Sequence, residues 1–343
     1  MPAPQFSLHA SYDDKILDAY VKLSTERNRS GPWSGRWDAV EAYPRWKFAP
    51  QGNVPALLAA AWMKDRLVGV TSLRPMPARW GSLPVQAGEI GDLYVDAAVR
   101  GQGIFSRLLK LIREGAEAHG YSFAFCAPNR QGFARLIASG HFREAPRAER
   151  ILCLLPLRPS QFTPDMFRGA AQWLADPLAR AWLPRMPEGT KGWTRWEDHA
   201  GPLPDYLAAT HTFHVDKGDL EGRLRRHPDH SEYRLLEAAG GWCIGKGAGH
   251  QGRAITFLGS VQGRDPATRK AVLNAAIGAC RDKGAAAVAL WAARGALSES
   301  LGPRRPFLPL ARKRIAVLTT PLGIEVLEKN GPISIELLDT DKI

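Results

Sequence analysis

At 343 residues the chain is longer than one compact domain, and 45% hydrophobic residues against 23% charged ones exclude a wholly disordered protein. A net charge of +12 favours anionic ligands, yet no block of five or six consecutive Lys/Arg residues occurs, so nucleic acid is not an expected partner. Four scattered cysteines without a CxxC argue against a zinc site or disulfide framework, and no 18-residue apolar run argues for a membrane span.

The first half opens on a helix over Asp13–Arg27, with Ile16, Leu17, Tyr20, Val21 and Leu23 on one side. A Gly-, Pro- and Trp-rich stretch follows. Pro55–Met63 and Arg66–Leu73 read as a hairpin turning at Lys64-Asp65, and Gln86–Val95 as a third strand. Gly103–His119 has the spacing of an amphipathic helix. Then come a buried strand at Tyr121–Cys126, a short helix at Gly132–Ala138 and a closing strand at Arg150–Leu157.

Residues 158–200 read as a Pro/Trp-rich connection with some helix around Ala170–Trp182. Beyond it, Asp219–Arg226 is helical, and Tyr233–Ala239, Trp242–Ala248 and Arg253–Val261 are strands. A helix over Pro266–Lys283 and strands at Ala286–Ala292 and Arg314–Leu318 complete the second block. Its order loosely repeats the first, without a close sequence repeat. The expected division is 1–157, 158–200 and 201–343.

The segment richest in chemistry is Gly88–Leu109, GEIGDLYVDAAVRGQGIFSRLL. A strand ends near Val95, and Arg100-Gly101-Gln102-Gly103 opens the long helix. The first N–H groups of a helix lack internal partners and carry the positive end of its dipole. Glycines there let a phosphate approach the backbone, and Arg100 adds a full charge. A tight strand-to-helix turn would use the same residues. No GK[ST] follows, and GxGxxG is incomplete, so neither nucleotide fingerprint applies.

Leu93–Leu109 resembles the coenzyme A motif of the GNAT N-acyltransferases, in which a strand is followed by an [RQ]xxGx[GA] turn and a helix. Arg100 and Gly103 match, and Phe105 departs, because Gly or Ala is usual there. Pro128-Asn129 and the Gly140/Phe142 pair extend the likeness over roughly Trp46–Leu157. It is closest to a branch of tandem proteins in bacterial surface-sugar pathways. The resemblance implies an α/β (α+β) fold, a mixed but mostly antiparallel sheet flanked by helices. It also implies a second, degenerate unit without the coenzyme A motif.

It further implies acetyl-CoA, or another acyl-CoA, as cofactor and a primary amine as acceptor, an amino sugar or nucleotide-linked amino sugar. Leu93, Tyr94 and Val95 would bond the pantetheine arm as an added strand would. Arg100, Gly101, Gln102, Gly103, Ile104, Phe105 and Ser106 would hold the pyrophosphate, and Asn129 would lie near the thiol end. Phe105, in the first helical turn, can point into the core while its N–H faces the ligand.

Glu89 and Asp92 are the carboxylates placed to act as base. Their odd spacing puts them on opposite faces of a regular strand unless a bulge intervenes, and Asp92 lies nearer the splay. The Tyr that many members place seven residues after the Asn is here Leu136, which leaves Tyr94 and Tyr121 as replacement acids. A non-catalytic coenzyme A-binding scaffold is the second reading of these departures.

Trp46, before the hairpin, is a candidate aromatic platform for the acceptor. Arg225 or Arg226 would take a phosphate, and Asp339 and Asp341 in the acidic tail an amino group. His211, His214, His227 and His230 do not form a metal pattern. The N-terminus has no charged start followed by an apolar core, so the expected location is the cytoplasm.

Overall fold

The computed structural model describes residues 3–28, 42–49, 54–145, 148–188, 190, 192–206, 213–250, 252–293, 308–318, 320–328 and 333–334. Asp339, Asp341, Trp33, Trp37 and His211 lie outside the described residues.

The first half runs β1 (Gln5–His9), α1 (Asp14–Asn28), α2 (Ala42–Lys47), β2 (Leu57–Met63), β3 (Arg66–Trp80) and β4 (Leu83–Val95). It continues with α3 (Ile104–Ala118), β5 (Phe123–Cys126), α4 (Arg130–Ala138), β6 (Phe142–Glu144), β7 (Arg150–Pro156) and α5 (Asp165–Trp182). The second half contains β8 (Thr194–Arg195), β9 (Phe213–Val215), α6 (Lys217–Arg226), β10 (Tyr233–Ala238), β11 (Gly241–His250) and β12 (Arg253–Gln262). It ends with α7 (Pro266–Asp282), β13 (Ala287–Ala293), β14 (Leu308–Lys313), β15 (Ala316–Leu318), α8 (Pro321–Glu328) and β16 (Ile333–Ser334).

Most elements expected from periodicity are present, with identifiable starts. Asp13 accepts the Ile16 N–H at 2.9 Å and so opens α1. Lys64 takes φ 56° at the turn between β2 and β3. The first sheet is a two-sided layer. Leu57, Leu73 and Ile90 face Ile104, Leu108 and Ile112 of α3, whereas Leu58, Ala60 and Val70 face Ile16, Leu17 and Tyr20 of α1. Gly88 is required by the close approach of neighbours. A Cβ there would lie 2.6 Å from Leu73 and 2.8 Å from the Arg74 carbonyl.

The two sheets share one connectivity. The first is ordered β1-β2-β3-β4-β5-β15-β6, and the second β14-β7-β13-β12-β11-β10-β8. In each, antiparallel strands lead to a parallel pair, β4 with β5 and β12 with β13, and a foreign strand is inserted next.

The closing strand expected of the first unit is therefore real but sits elsewhere. β7 pairs with β13 and β14 in the second sheet, while β15, from the far end of the chain, fills the gap between β5 and β6. Both strands are apolar, so each sheet accepts the other half's strand without losing a buried face. β9 also crosses over to pair with β3, and Arg79 bonds Asp216 at 2.9 Å. The chain thus crosses to the second sheet between β6 and β7, ahead of residue 157.

Candidate active site at the splayed edge of β4

β4 and β5 pair in parallel only at Ala87–Phe123, Gly88–Ala124 and Glu89–Phe125. Past Glu89 β4 keeps β3 as its neighbour and leaves β5, so residues 90–95 border a gap between the strands. The β3–β4 register shifts there: Val70 faces Tyr94 and Ser72 faces Gly91, which puts one extra residue on β4. Asp92 holds φ 52° at that bulge.

The bulge overturns the opposite-face expectation for the two carboxylates. Asp92 accepts from Ser72 Oγ at 2.7 Å, and Glu89 accepts from Arg74 at 2.5 Å. Ser72 and Arg74 are two residues apart on β3 and so share a face. Both carboxylates therefore lie on the side of the sheet covered by α2. Lys47 of α2 completes the arrangement, with Nζ 2.7 Å from Asp92. Lys47, Arg74, Glu89 and Asp92 are nearly enclosed, and low dielectric makes their pairing strong and its disruption costly.

Sequence reasoning missed Lys47, Ser72 and Arg74. The signal was present in β3, where Arg74 interrupts the apolar run between Leu73 and Met76.

The turn after β4 has the geometry of an anion cradle. A 3-10 turn spans Ala97–Val99, capped by Asp96, whose side chain accepts the Ala98 N–H. Gly101 and Gly103 have φ of 84° and 71°, and a Cβ on either would meet nothing within 4 Å. Gly103 sits at the N-cap position of α3 with no side-chain cap. The helical ladder begins with Arg107 N–H to the Gly103 carbonyl at 3.2 Å, so the N–H groups of Ile104, Phe105 and Ser106 precede it. Gly101, Gln102, Gly103 and Ser106 are exposed. Arg100, also exposed, donates through Nε to the Val95 carbonyl at 3.0 Å, which holds its guanidinium beside the turn.

These features fit a pyrophosphate, because unpaired donors, a helix dipole and open space converge on one point. Phe105 does not obstruct it. Its ring packs on the core that holds Ile104 and Leu108.

Several expected roles are redrawn. Asn129 caps α4, its Oδ1 accepting the Gly132 N–H at 2.8 Å, so that oxygen is engaged in folding. Tyr121 donates to the Pro55 carbonyl at 2.7 Å, and burial pushes its phenol far above the usual range, which makes it a poor acid. Tyr94 packs with Ile16, Tyr20 and Phe48. Leu136 is core.

Trp46 is 6% exposed. Arg74 lies over its ring at 5.8 Å and the His227 ring meets it edge-on at 4.3 Å, so it joins α2 to the second half instead of offering an open platform. Arg226 is exposed and bonds the Gly222 carbonyl of its own helix, while Arg225 bonds the His199 carbonyl. Among the described residues no cluster of three His, Cys, Asp or Glu side chains could hold a metal, and no helix is long and apolar enough to cross a membrane.

Comparison with known proteins gives this geometry its family. Residues 20–137, which contain the splay, the bulge and the glycine turn, match the acetyltransferase (GNAT) family. Over that segment, about a third of the chain, it belongs to the GNAT acetyltransferases. The match includes the open turn before α3.

Solved structures extend the likeness in fold over both sheets. A GCN5-related N-acetyltransferase from Anabaena variabilis is 12% identical, with a TM-score of 0.60 over 91% of this chain and 72% of that one. N-myristoyltransferase of Saccharomyces cerevisiae with bound myristoyl-CoA is also 12% identical, with a TM-score of 0.56 over 98% of this chain and 85% of that one. A curated protein of Thermus thermophilus named S-ribosylhomocysteine lyase is 33% identical over 116 residues, 33% of this chain and 70% of its own.

Proposed function

We propose that the protein moves an acyl group, in the first instance acetyl, from coenzyme A to the primary amine of a small acceptor. The observation that carries this reading is the uncapped glycine start of α3 lying directly beyond a strand that has left its neighbour. A pyrophosphate fits the first feature, and an extended pantetheine arm fits the second.

Acyl-CoA supplies the acyl group as a thioester. Those backbone N–H groups of residues 91–95 that point away from β3 would polarise its carbonyl. Gly101–Ser106 and Arg100 hold the pyrophosphate, and Leu93, Tyr94 and Val95 align the arm. Asp92, in the splayed segment, takes the proton of the attacking amine directly or through water, with Glu89 as the other carboxylate on that face. Lys47 and Ser72 fix Asp92 in place. With Tyr121 engaged and unsuited as acid, the thiolate leaves unprotonated or takes its proton from water or from Tyr94.

For the acceptor, an amino sugar is the reading we favour, in nucleotide-linked form because the net charge of +12 attracts an anion. The second half supports the reading as a related unit that has lost its cofactor site and walls the α2 side of β4 through His227. The lyase name of the Thermus protein is not carried over, since that likeness spans a third of this chain.

The test is calorimetric titration of acetyl-CoA into the full chain and into an Arg100→Ala/Gly103→Trp variant. Binding lost in the variant, followed by amine-dependent thiol release, supports the proposal. Binding without release by any amine returns the non-catalytic scaffold, and no binding by a folded protein overturns both readings.

A further inference from the structure

Helix α5 is mounted inside out. Its docked side is small and anchored by one polar residue: Asp176 accepts Ser160 N–H at 2.9 Å and Ser160 Oγ–H at 2.6 Å, and Ala179 and Leu183, the latter just past its end, pack into the second core. No residue of the helix itself is buried. The opposite arc presents Met166, Phe167, Trp173, Leu174, Leu178 and Trp182 to solvent, with Trp173 83%, Leu174 68% and Trp182 76% exposed. At 100° per residue these six fall on one side of the helix, so the arc is a continuous apolar face.

The exposed apolar surface of this arc is on the order of 800 Å² per copy, since a large aromatic side chain alone offers roughly 150–250 Å². That exceeds what a monomer ordinarily leaves open and equals the share of about 800 Å² that each partner contributes to a standard interface.

We infer that α5 is the dimerisation helix of this protein, packing antiparallel against α5 of a second copy about a two-fold axis at Leu174. The sequence is complementary to itself in that arrangement. With Leu174 facing its own image, Phe167 faces Ala181, Ala170 faces Leu178 and Met166 faces Trp182. Large side chains thus meet small ones in two of these four pairings, and the contact is isologous and closes. The charges on the helix are Asp165, Arg168, Asp176 and Arg180, with Arg168 paired to Asp165. They sum to zero, so the helix lacks the excess of cations of one lying on an anionic membrane. The inference does not depend on the proposed acyl transfer.

Sedimentation velocity of the full chain across a concentration series tests it, with Leu174→Glu as the disrupting variant. The intact protein is expected to dimerise, and Leu174→Glu to weaken dimerisation roughly 30-fold or more, as loss of a central buried side chain does, with an unchanged circular dichroism spectrum. The four native cysteines are buried, so a single introduced thiol reports cleanly. Leu174→Cys is expected to give a disulfide-linked dimer on mild oxidation, and Met166→Cys or Trp182→Cys alone none, because each lies far from its own image. A monomer at every concentration, a dimer unaffected by Leu174→Glu, or self-crosslinking at Met166→Cys as efficient as at Leu174→Cys would each overturn the inference. So would binding of the monomer to phosphatidylglycerol vesicles that Leu174→Glu abolishes, which would give the face to a membrane.

Discussion

The starts of α3 and α7 occupy equivalent places in two sheets of the same connectivity, and they are built in opposite ways. Each follows the fourth strand of its sheet, and each of those strands carries a bulge, at Asp92 in β4 and between Leu258 and Ser260 in β12. Each also leaves its parallel neighbour early, since β12 pairs with β13 only over Ile255–Leu258. The helices then diverge. α3 begins at a left-handed glycine with no side-chain cap. α7 begins at Asp265, whose carboxylate accepts the Thr268 N–H at 2.7 Å, with Pro266 removing another donor. A carboxylate on the helix dipole does for α7 what a phosphate would do for α3. Bulge and splay are therefore architecture common to both sheets, and the choice between a binding site and a closed helix end rests on one turn.

Separating the halves would have the largest effect. A chain ending at residue 157 lacks β15, β9 and β16 from the first sheet and exposes β7, whose partners are all in the second. Such a fragment is expected not to fold, which circular dichroism and proteolysis will read. A soluble, cooperative 1–157 fragment would show that the strand exchange is not needed for the first core.

Next in size is the exchange of one helix start for the other. Gly103→Asp should place a carboxylate where α7 has one, repelling a pyrophosphate and competing for its donors. At φ 71° the substitution carries roughly 1–2 kcal/mol of left-handed strain, too little to unfold the chain. Acetyl-CoA affinity is expected to fall about 100-fold or more, equivalent to losing roughly 3 kcal/mol. Retained affinity in calorimetry would detach the cradle from the ligand.

The cradle was legible in the sequence because its signals are local: glycines at fixed offsets, an arginine and an amphipathic helix on known physical terms. Phe105 was also readable, since its place in the first turn separates side chain from N–H. The carboxylate face was not. The odd spacing of Glu89 and Asp92 says opposite faces, and only the register shift against Val70 and Ser72 reverses that. Lys47 and Arg74 were hidden for a related reason: their partners lie 45 and 15 residues away (92 − 47 and 89 − 74). The exchange of β7 and β15 was equally invisible, because both strands read as buried and neither names its neighbour. Asn129 makes a capping bond through Oδ1 that the sequence allows equally well.

The buried ion pairs sharpen the comparison further, because they lie on the face that holds the proposed base. Asp92→Ala leaves Lys47 enclosed without its carboxylate, which costs about 3–5 kcal/mol for a buried pair broken on one side. Asp92→Asn keeps an acceptor for Ser72 and Lys47 and should cost less. If Asp92 is the base, Asp92→Asn lowers kcat by roughly 10²–10⁴-fold with acyl-CoA affinity nearly intact. Equal losses in kcat from Asp92→Asn and Glu89→Gln would instead mean that the face is structural as a whole.

The smallest effect is expected at α7, and its sign follows from the cap. Hydrogen bonds from the Thr268 backbone and side chain hold the Asp265 carboxyl below its ordinary value. A depressed carboxylate contributes stability above its unfolded pKa and loses it as pH falls through the lower, folded value. The second half of the protein should therefore soften in acid by an amount that Asp265→Asn removes, since Asn caps a helix without titrating. Melting curves of both proteins from neutral pH downwards will show it. Acetyl-CoA binding should not change in Asp265→Asn at neutral pH, because the site proposed for the ligand is the start of α3 and not this capped one. A loss of binding there would mean that the two helix ends are coupled through the exchanged strands.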